Sequence, residues 1–370
     1  MRERREGLVD VIISTMQDIR VKKLAQVLVQ QSLQVKPAEK VVIKLAGVAG
    51  LPLARACYEE IILAGALPSL RVSDEEMEEF FFTYANREQL GAEPKLAMVE
   101  AKFFDKNLTI VAESNVNNLT NVESEKLLVR SRLTKDVREV TMKKPWVMTY
   151  YPTAALAQAA QMSVREMEDY VFAACDQDWV EMSKLMKKLV AKLTNQDLHL
   201  LGNQTDLYLS TKNQSWEIDD WRCNMPGGEV FTSPLKESVH GRIYFDYPLS
   251  RHGKTMSGVS LEFKAGKVIK ASAKTNQDFL EALLQTDAGA KFVGEIAIGL
   301  NKGCHKYLDN ILYDEKMAGT MHLALGAGFP ECGSYNQSAL HLDLVKNMKL
   351  KNCQLWAGKT LIMEAGKLKV

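Results

Sequence analysis

The chain has 370 residues, enough for two or three domains and for a large core that needs no disulfide or metal staple. It is 46% apolar and 25% charged, as ordinary globular proteins are, and 47 basic residues against 46 acidic ones leave a net charge of +1. That balance excludes a whole-surface polyanion binder, and no apolar run reaches membrane-span length, so neither a nucleic-acid nor a membrane partner is expected.

Residues 1–7 are charged, and Asp10 interrupts the apolar stretch that follows, which is not the pattern of a signal peptide. The first 20 residues read as an amphipathic helix or a loose extension. Residues 22–36 carry apolar positions at helical spacing. KVVIKLA at 40–46 is a strand, GVAG at 47–50 a turn, 51–66 a helix, and 69–73 a second strand with Pro68 just ahead of it. Strand, helix and strand in this order make a βαβ unit and a parallel sheet. GVAG lacks the full G-x-G-x-x-G spacing, so a plain strand-to-helix turn outweighs a dinucleotide site. Further strands are expected at 107–112 and 145–150, and helices at 164–174 and 178–193.

The second half changes character. Strands are expected at 207–210, 242–247, 258–264, 267–273, 292–300 and 338–345, with a short helix at 277–285 and a closing hairpin over 359–364 and 368–370. The expected class is therefore α/β: an N-terminal parallel-sheet α/β domain over residues 1–195 and a mixed α+β metal-binding domain over 196–370.

Six cysteines (Cys57, Cys175, Cys223, Cys304, Cys332 and Cys353) form no C-x-x-C pair. Scattered cysteines in a chain of this size point to free thiols in a reducing compartment, and a cytoplasmic location is expected. Cys304 beside His305 reads more readily as a packed thiol than as a nucleophile pair.

Of the six histidines, His199, His240, His252 and His305 lie near polar or turn residues and read as surface positions. Two differ. In SALHLDLV at 338–345, His341 and Asp343 share one face of a strand while the leucines take the other, which makes a ligand rail or a solvated face. In GTMHLALG at 319–326, His322 is isolated among apolar residues, either a satisfied core histidine or a ligand. Glu295 in FVGEIAIG is an acid inside an apolar strand, a costly placement unless it is ion-paired or bound to metal. Glu229 follows two glycines in GGEVFTSP and is either a loop acid or a ligand that backbone can approach closely. Two imidazoles and three carboxylates suit two divalent cations such as Zn, Co or Mn sharing a carboxylate, and exceed what one four-coordinate zinc needs.

GEVFTSP, GEIAIG, DEK-x-x-GT-x-H-x-A-x-G and S-x-x-H-x-D, in this order, resemble the aminopeptidase T / aminopeptidase S / aminopeptidase II family of metallo-aminopeptidases. The resemblance covers roughly residues 22–370 and is strongest over 224–345. It implies that Glu229, Glu295, His322, His341 and Asp343 ligate two divalent ions, that peptides with a free N-terminus are the substrates, and that the chain is a homodimer. It also places a tyrosine seven residues after the first histidine, where this chain has Phe329. Tyr335 is the nearest substitute for stabilising an oxyanion, and Glu295 is either a ligand or the general base. Asp314 and Glu315 read as acids at a turn or helix N-terminus, with support of His322 as the functional alternative. A non-catalytic binding protein, another metallohydrolase such as a dipeptidase or esterase, and a nucleotide-binding enzyme are the competing readings.

Overall fold

The structure is a computed structural model that describes residues 18–251 and 254–369. The expectations for residues 1–17 and for His252 lie outside these residues. The described chain forms two compact units, one of residues up to 176 with 221–225, the other of 177–220 with 226–370.

The first unit is built on a five-stranded sheet in the order Leu67–Ser73, Lys40–Ala46, Lys106–Val111, Trp146–Tyr150, Asn224–Met225. Every neighbouring pair in it is parallel, as the βαβ pattern requires. Val41, Val42, Ile43 and Leu45 are all buried, which is how a parallel strand covered on both faces reads in sequence. Pro68 lies inside its strand rather than ahead of it. The strand is the sheet edge, where a missing N–H costs no ladder bond.

Two helices differ from expectation at their ends. The one expected over 22–36 is an α-helix at Ile19–Gln26 that widens into a π-helical turn at Val27–Ser32, and the chain then turns through a positive φ at Gln34. The one expected over 51–66 ends at Leu63, with Gly65 at φ 75° closing it. The segment between the second and fourth strands, left without helices by the sequence reading, holds Glu75–Tyr84, Lys95–Phe103, Ser124–Leu133 and Lys135–Met142.

The second unit pairs an eight-stranded antiparallel sheet with a five-stranded one in the order His341–Asn347, Thr320–Gly326, Val293–Gly299, Glu229–Thr232, Glu217–Asp219. One apolar cluster joins them: Leu200, Leu207, Ile243 and Leu261 from the larger sheet meet Ile296, Ile298, Leu323, Leu325, Leu342 and Leu344 from the smaller. The helix Trp179–Leu193 belongs to this unit and adds Met186, Leu189 and Leu193 to the same core. Among the described residues no helix is long and apolar enough to cross a membrane.

Candidate metal centre

The site is written in the pleat of the five-stranded sheet. Residues directly opposite in an antiparallel pair share a face. Glu229 lies opposite Gly299, Ala297 opposite His322, Glu295 opposite Ala324, Ala324 opposite Asp343, and Gly326 opposite His341. Glu229, Glu295, His322, His341 and Asp343 therefore all project from one face, on four adjacent strands. The alternate positions of the same strands, Ile296, Ile298, Leu323, Leu325, Leu342 and Leu344, turn to the core. Between the five polar side chains the face carries Ala297, Gly299, Ala324 and Gly326, small residues that leave room above the sheet.

Glycines set the first ligand position. A Cβ on Gly227 would lie 1.3 Å from the Asp220 carbonyl oxygen, and Gly228 sits at φ 126° against Asn301. The Asn301 side-chain amide donates to the Gly227 oxygen at 2.9 Å. The turn before Glu229 thus fits only without side chains.

The five residues meet in space. His322 Nε2 stands 3.5 Å from both Glu229 Oε2 and Glu295 Oε1, and His341 Nε2 stands 3.2 Å from Glu295 Oε2 and 3.4 Å from Asp343 Oδ1. His341 donates from Nδ1 to the Ala327 oxygen at 3.0 Å, which fixes its ring and turns Nε2 inward. Glu229, Glu295 and His322 are buried, and His341 and Asp343 are partly open.

The short helix Ile311–Asp314 and the residues after it bring Asp314 and Glu315 near the site, with Lys316, to which the sequence gives no role. Asp314 and Glu315 stand at the end of this helix, not at its N-terminus. Asp314 accepts from the backbone of Leu308 and Asn310, both at 2.7 Å, and so braces the preceding loop. Glu315 joins Glu229 and His322 in one group of mutually close ligand atoms, and Glu295, His322 and Asp343 form a second. Lys316, wholly buried, reaches Glu229 Oε1 and Glu315 Oε1 at 2.6 Å and Asp219 Oδ2 at 2.8 Å.

Tyr335 is 93% exposed. The aromatic ring that faces the cluster belongs to Phe329, whose centroid lies 5.5 Å from that of His341 and 5.0 Å from that of Phe231. Ser233 of the GEVFTSP motif holds Phe329 there, accepting from its N–H at 3.0 Å while donating to the Gly294 oxygen at 2.6 Å. Of the other expected positions, Cys304 is buried, and His305 uses Nδ1 on the Gly303 oxygen.

The electrostatics are those of acids and imidazoles crowded out of water. Burial opposes charge on His322, but Glu295 and Glu229 overcome it and raise its pKa to about 10. Burial likewise opposes His341, and Asp343 with Glu295 raises it to about 11. Glu295 is held down to about 2 by the two imidazoles against its own burial. Burial pushes Glu229 up to about 8 despite Lys316, and pushes Glu315 up as well.

A cation fits this set. Glu229 Oε2, both nitrogens of His322 and Asp343 Oδ1 are buried without a hydrogen-bond partner, a cost that folded proteins rarely leave standing without a ligand. Imidazole nitrogens with carboxylate oxygens are the donors that Zn, Co and Mn prefer.

Comparison with known proteins agrees with this chemistry. The model of the family described as thermophilic metalloprotease (M29) matches residues 17–368. Aminopeptidase 2 of Geobacillus stearothermophilus is 38% identical over 111 residues, which is 29% of this chain and 26% of that protein. Aminopeptidase T of Thermus aquaticus is 33% identical over 194 residues, 48% of this chain and 45% of that one. The chain thus spans between about a quarter and about half the length of these curated relatives. Wild-type AmpT from Thermus thermophilus has the same fold, with a TM-score of 0.83 over 95% of this chain and 99% of that one at 21% identity.

Proposed function

The chain belongs to the thermophilic metalloprotease family M29, and on that premise we propose that it is an aminopeptidase that removes N-terminal residues from peptides with the help of two divalent cations. The observation that carries this reading is the single polar face: five ligand-type side chains from four adjacent strands converge over a floor of alanine and glycine, with buried donor atoms left unpartnered. Glu229, Glu315 and His322 would hold one cation, and His341 and Asp343 the other, with Glu295 open to both. Cations held there supply Lewis-acid polarisation of a carbonyl and acidify water.

The chain's own groups divide the remaining work. Glu295 presents one oxygen toward each imidazole, so it would help hold a cation beside either one. Glu315, close to Glu229 and His322, completes the first position and is braced by Lys316. Lys316 is enclosed by three carboxylates and is not free to contact substrate. Tyr335 reaches an oxyanion only if the loop after Gly326 moves.

Zn, Co and Mn all suit the donor set. A cytoplasmic location accords with six scattered cysteines that form no C-x-x-C pair. A homodimer through the first unit accords with its exposed apolar stripes, Met77, Phe80 and Tyr84 on one helix and Leu96, Val99 and Phe103 on another. Light scattering on the purified chain tests it, and a monomer removes it.

One observation favours a second reading, metal-dependent peptide binding without turnover: Phe329 brings a ring to the cluster and no hydroxyl. Hydrolysis of amino-acid anilides, with and without chelator, decides between the two. Chelator-sensitive hydrolysis supports the peptidase; metal uptake without hydrolysis supports binding alone.

A further inference from the structure

Lys316 is placed asymmetrically. Its ammonium touches Asp219, Glu229 and Glu315, all on the side of the first ligand group, while the ion pairs of Glu295 on the other side are with the two histidines. A buried ammonium has two effects there. It satisfies three carboxylates that would otherwise be packed together uncompensated, so this half keeps its form without metal. It also sets a fixed positive charge beside any cation that Glu229 and Glu315 receive, and at low dielectric that repulsion is large. Among the described residues no lysine or arginine pairs with the carboxylates of the other half: Glu295 and Asp343 meet imidazoles, and the Arg251 guanidinium reaches only the backbone oxygen of His341.

We propose that Lys316 makes the two cation positions unequal, so that the position formed by Glu295, His341 and Asp343 is the tight one and the position formed by Glu229 and Glu315 is the weak, exchangeable one. This rests on the two-cation reading. Its consequence is that the supply of free divalent cation sets the fraction of fully loaded protein, through the weak position alone.

Titration of the metal-free chain with Co2+ alone, by calorimetry with equilibrium dialysis to count bound ions, tests it. The wild type takes up Co2+ in two steps whose dissociation constants differ by at least about tenfold. In Lys316→Met the weaker step tightens by at least about tenfold while the tighter one moves less than about twofold. The metal-free variant melts lower than the wild type, and excess Co2+ restores most of the difference. In Asp219→Asn, where less of the ammonium charge is compensated, the weaker step moves the opposite way and loosens. Equal steps in the wild type, or a weaker step that loosens in Lys316→Met, overturn the proposal. If Lys316→Met does not fold, the wild-type spacing and the Asp219→Asn shift decide. A wild type that saturates with a single ion overturns the two-cation reading itself, and the proposal with it.

Discussion

Glu295 and His341 form the closest contact between the ligand residues, with Oε2 3.2 Å from Nε2. The other oxygen of the same carboxylate faces His322, so one acid orients both imidazoles of the cluster. Glu295→Gln keeps the shape of this residue and removes its charge. The expected outcome is a folded protein whose metal content falls from about two ions per chain to one or none. Elemental analysis checks it, and undiminished metal content with normal activity would remove Glu295 from the centre.

Glu315→Gln separates a base from a ligand. As a ligand, Glu315 is needed for one of the two ions, and its loss removes that ion together with activity. Steady-state kinetics beside elemental analysis read both quantities. A fall of about 10²–10⁴-fold in kcat with the metal count unchanged assigns Glu315 to proton transfer instead.

Metal uptake should release protons. The pKa of His322 is raised from 6.5 to about 10 and that of His341 to about 11, so both imidazoles carry a proton at pH 7 in the metal-free chain. A raised histidine pKa contributes stability that is full below 6.5 and is lost as the pH climbs through 10 to 11. Binding of a cation runs the other way, since it must displace those protons, so apparent metal affinity rises with pH. Calorimetry at pH 7 in two buffers of different ionisation enthalpy should show at least about two protons released per chain, with a further contribution from Glu229, which stands at about 8. No release would mean the imidazoles do not ligate.

Phe329 stands where a hydroxyl would be useful, held by Ser233 against the His341 ring. Phe329→Tyr places a donor at the edge of the cluster. Positioned donors of this kind are worth about 10²–10³-fold in kcat elsewhere, and a rise of at least about tenfold with little change in KM is expected here. An unchanged kcat would show that the ring serves packing alone.

The space above the sheet can be filled. Ala324→Leu sets a larger side chain between Glu295 and Asp343, its cross-strand neighbours. Overpacking costs roughly 1–3 kcal/mol, so the variant should remain folded while losing bound metal. Thermal melting beside metal analysis checks both halves of that statement, and full metal retention would show that the floor is not spatially limiting.

Much of this was legible in the sequence because period two is a local signal. The alternation in 341–345 put His341 and Asp343 on one face and the leucines on the other, as the structure has them. Glu295 and His322 stood out because an ionisable group among Ile, Ala and Leu needs a reason. The rest depended on distance through space. Glu315, Lys316 and Asp219 follow no periodic pattern, and only the packing of the short segment after Ile311–Asp314 brings them to Glu229. Strands as brief as Glu217–Asp219 and Glu229–Thr232 carry too few alternations to be read. The helices between residues 75 and 142 were missed because their faces are largely exposed, and Phe80, Leu96 and Leu128 break the polar-out rule.

Side chains on these strands alternate between core and cluster, so displacement of one strand by a single residue would exchange the two sets and bury the acids among leucines. The turn-rich connection from Gly326 to His341 has no such parity to keep. Changes of length between Pro330 and Ser338 therefore leave the parity of the four strands intact, whereas Ala327 and Phe329, which brace His341, keep fixed places. Length gained or lost over 330–338 would leave the ligand face as it is, which makes that stretch the natural place for new specificity to be tried.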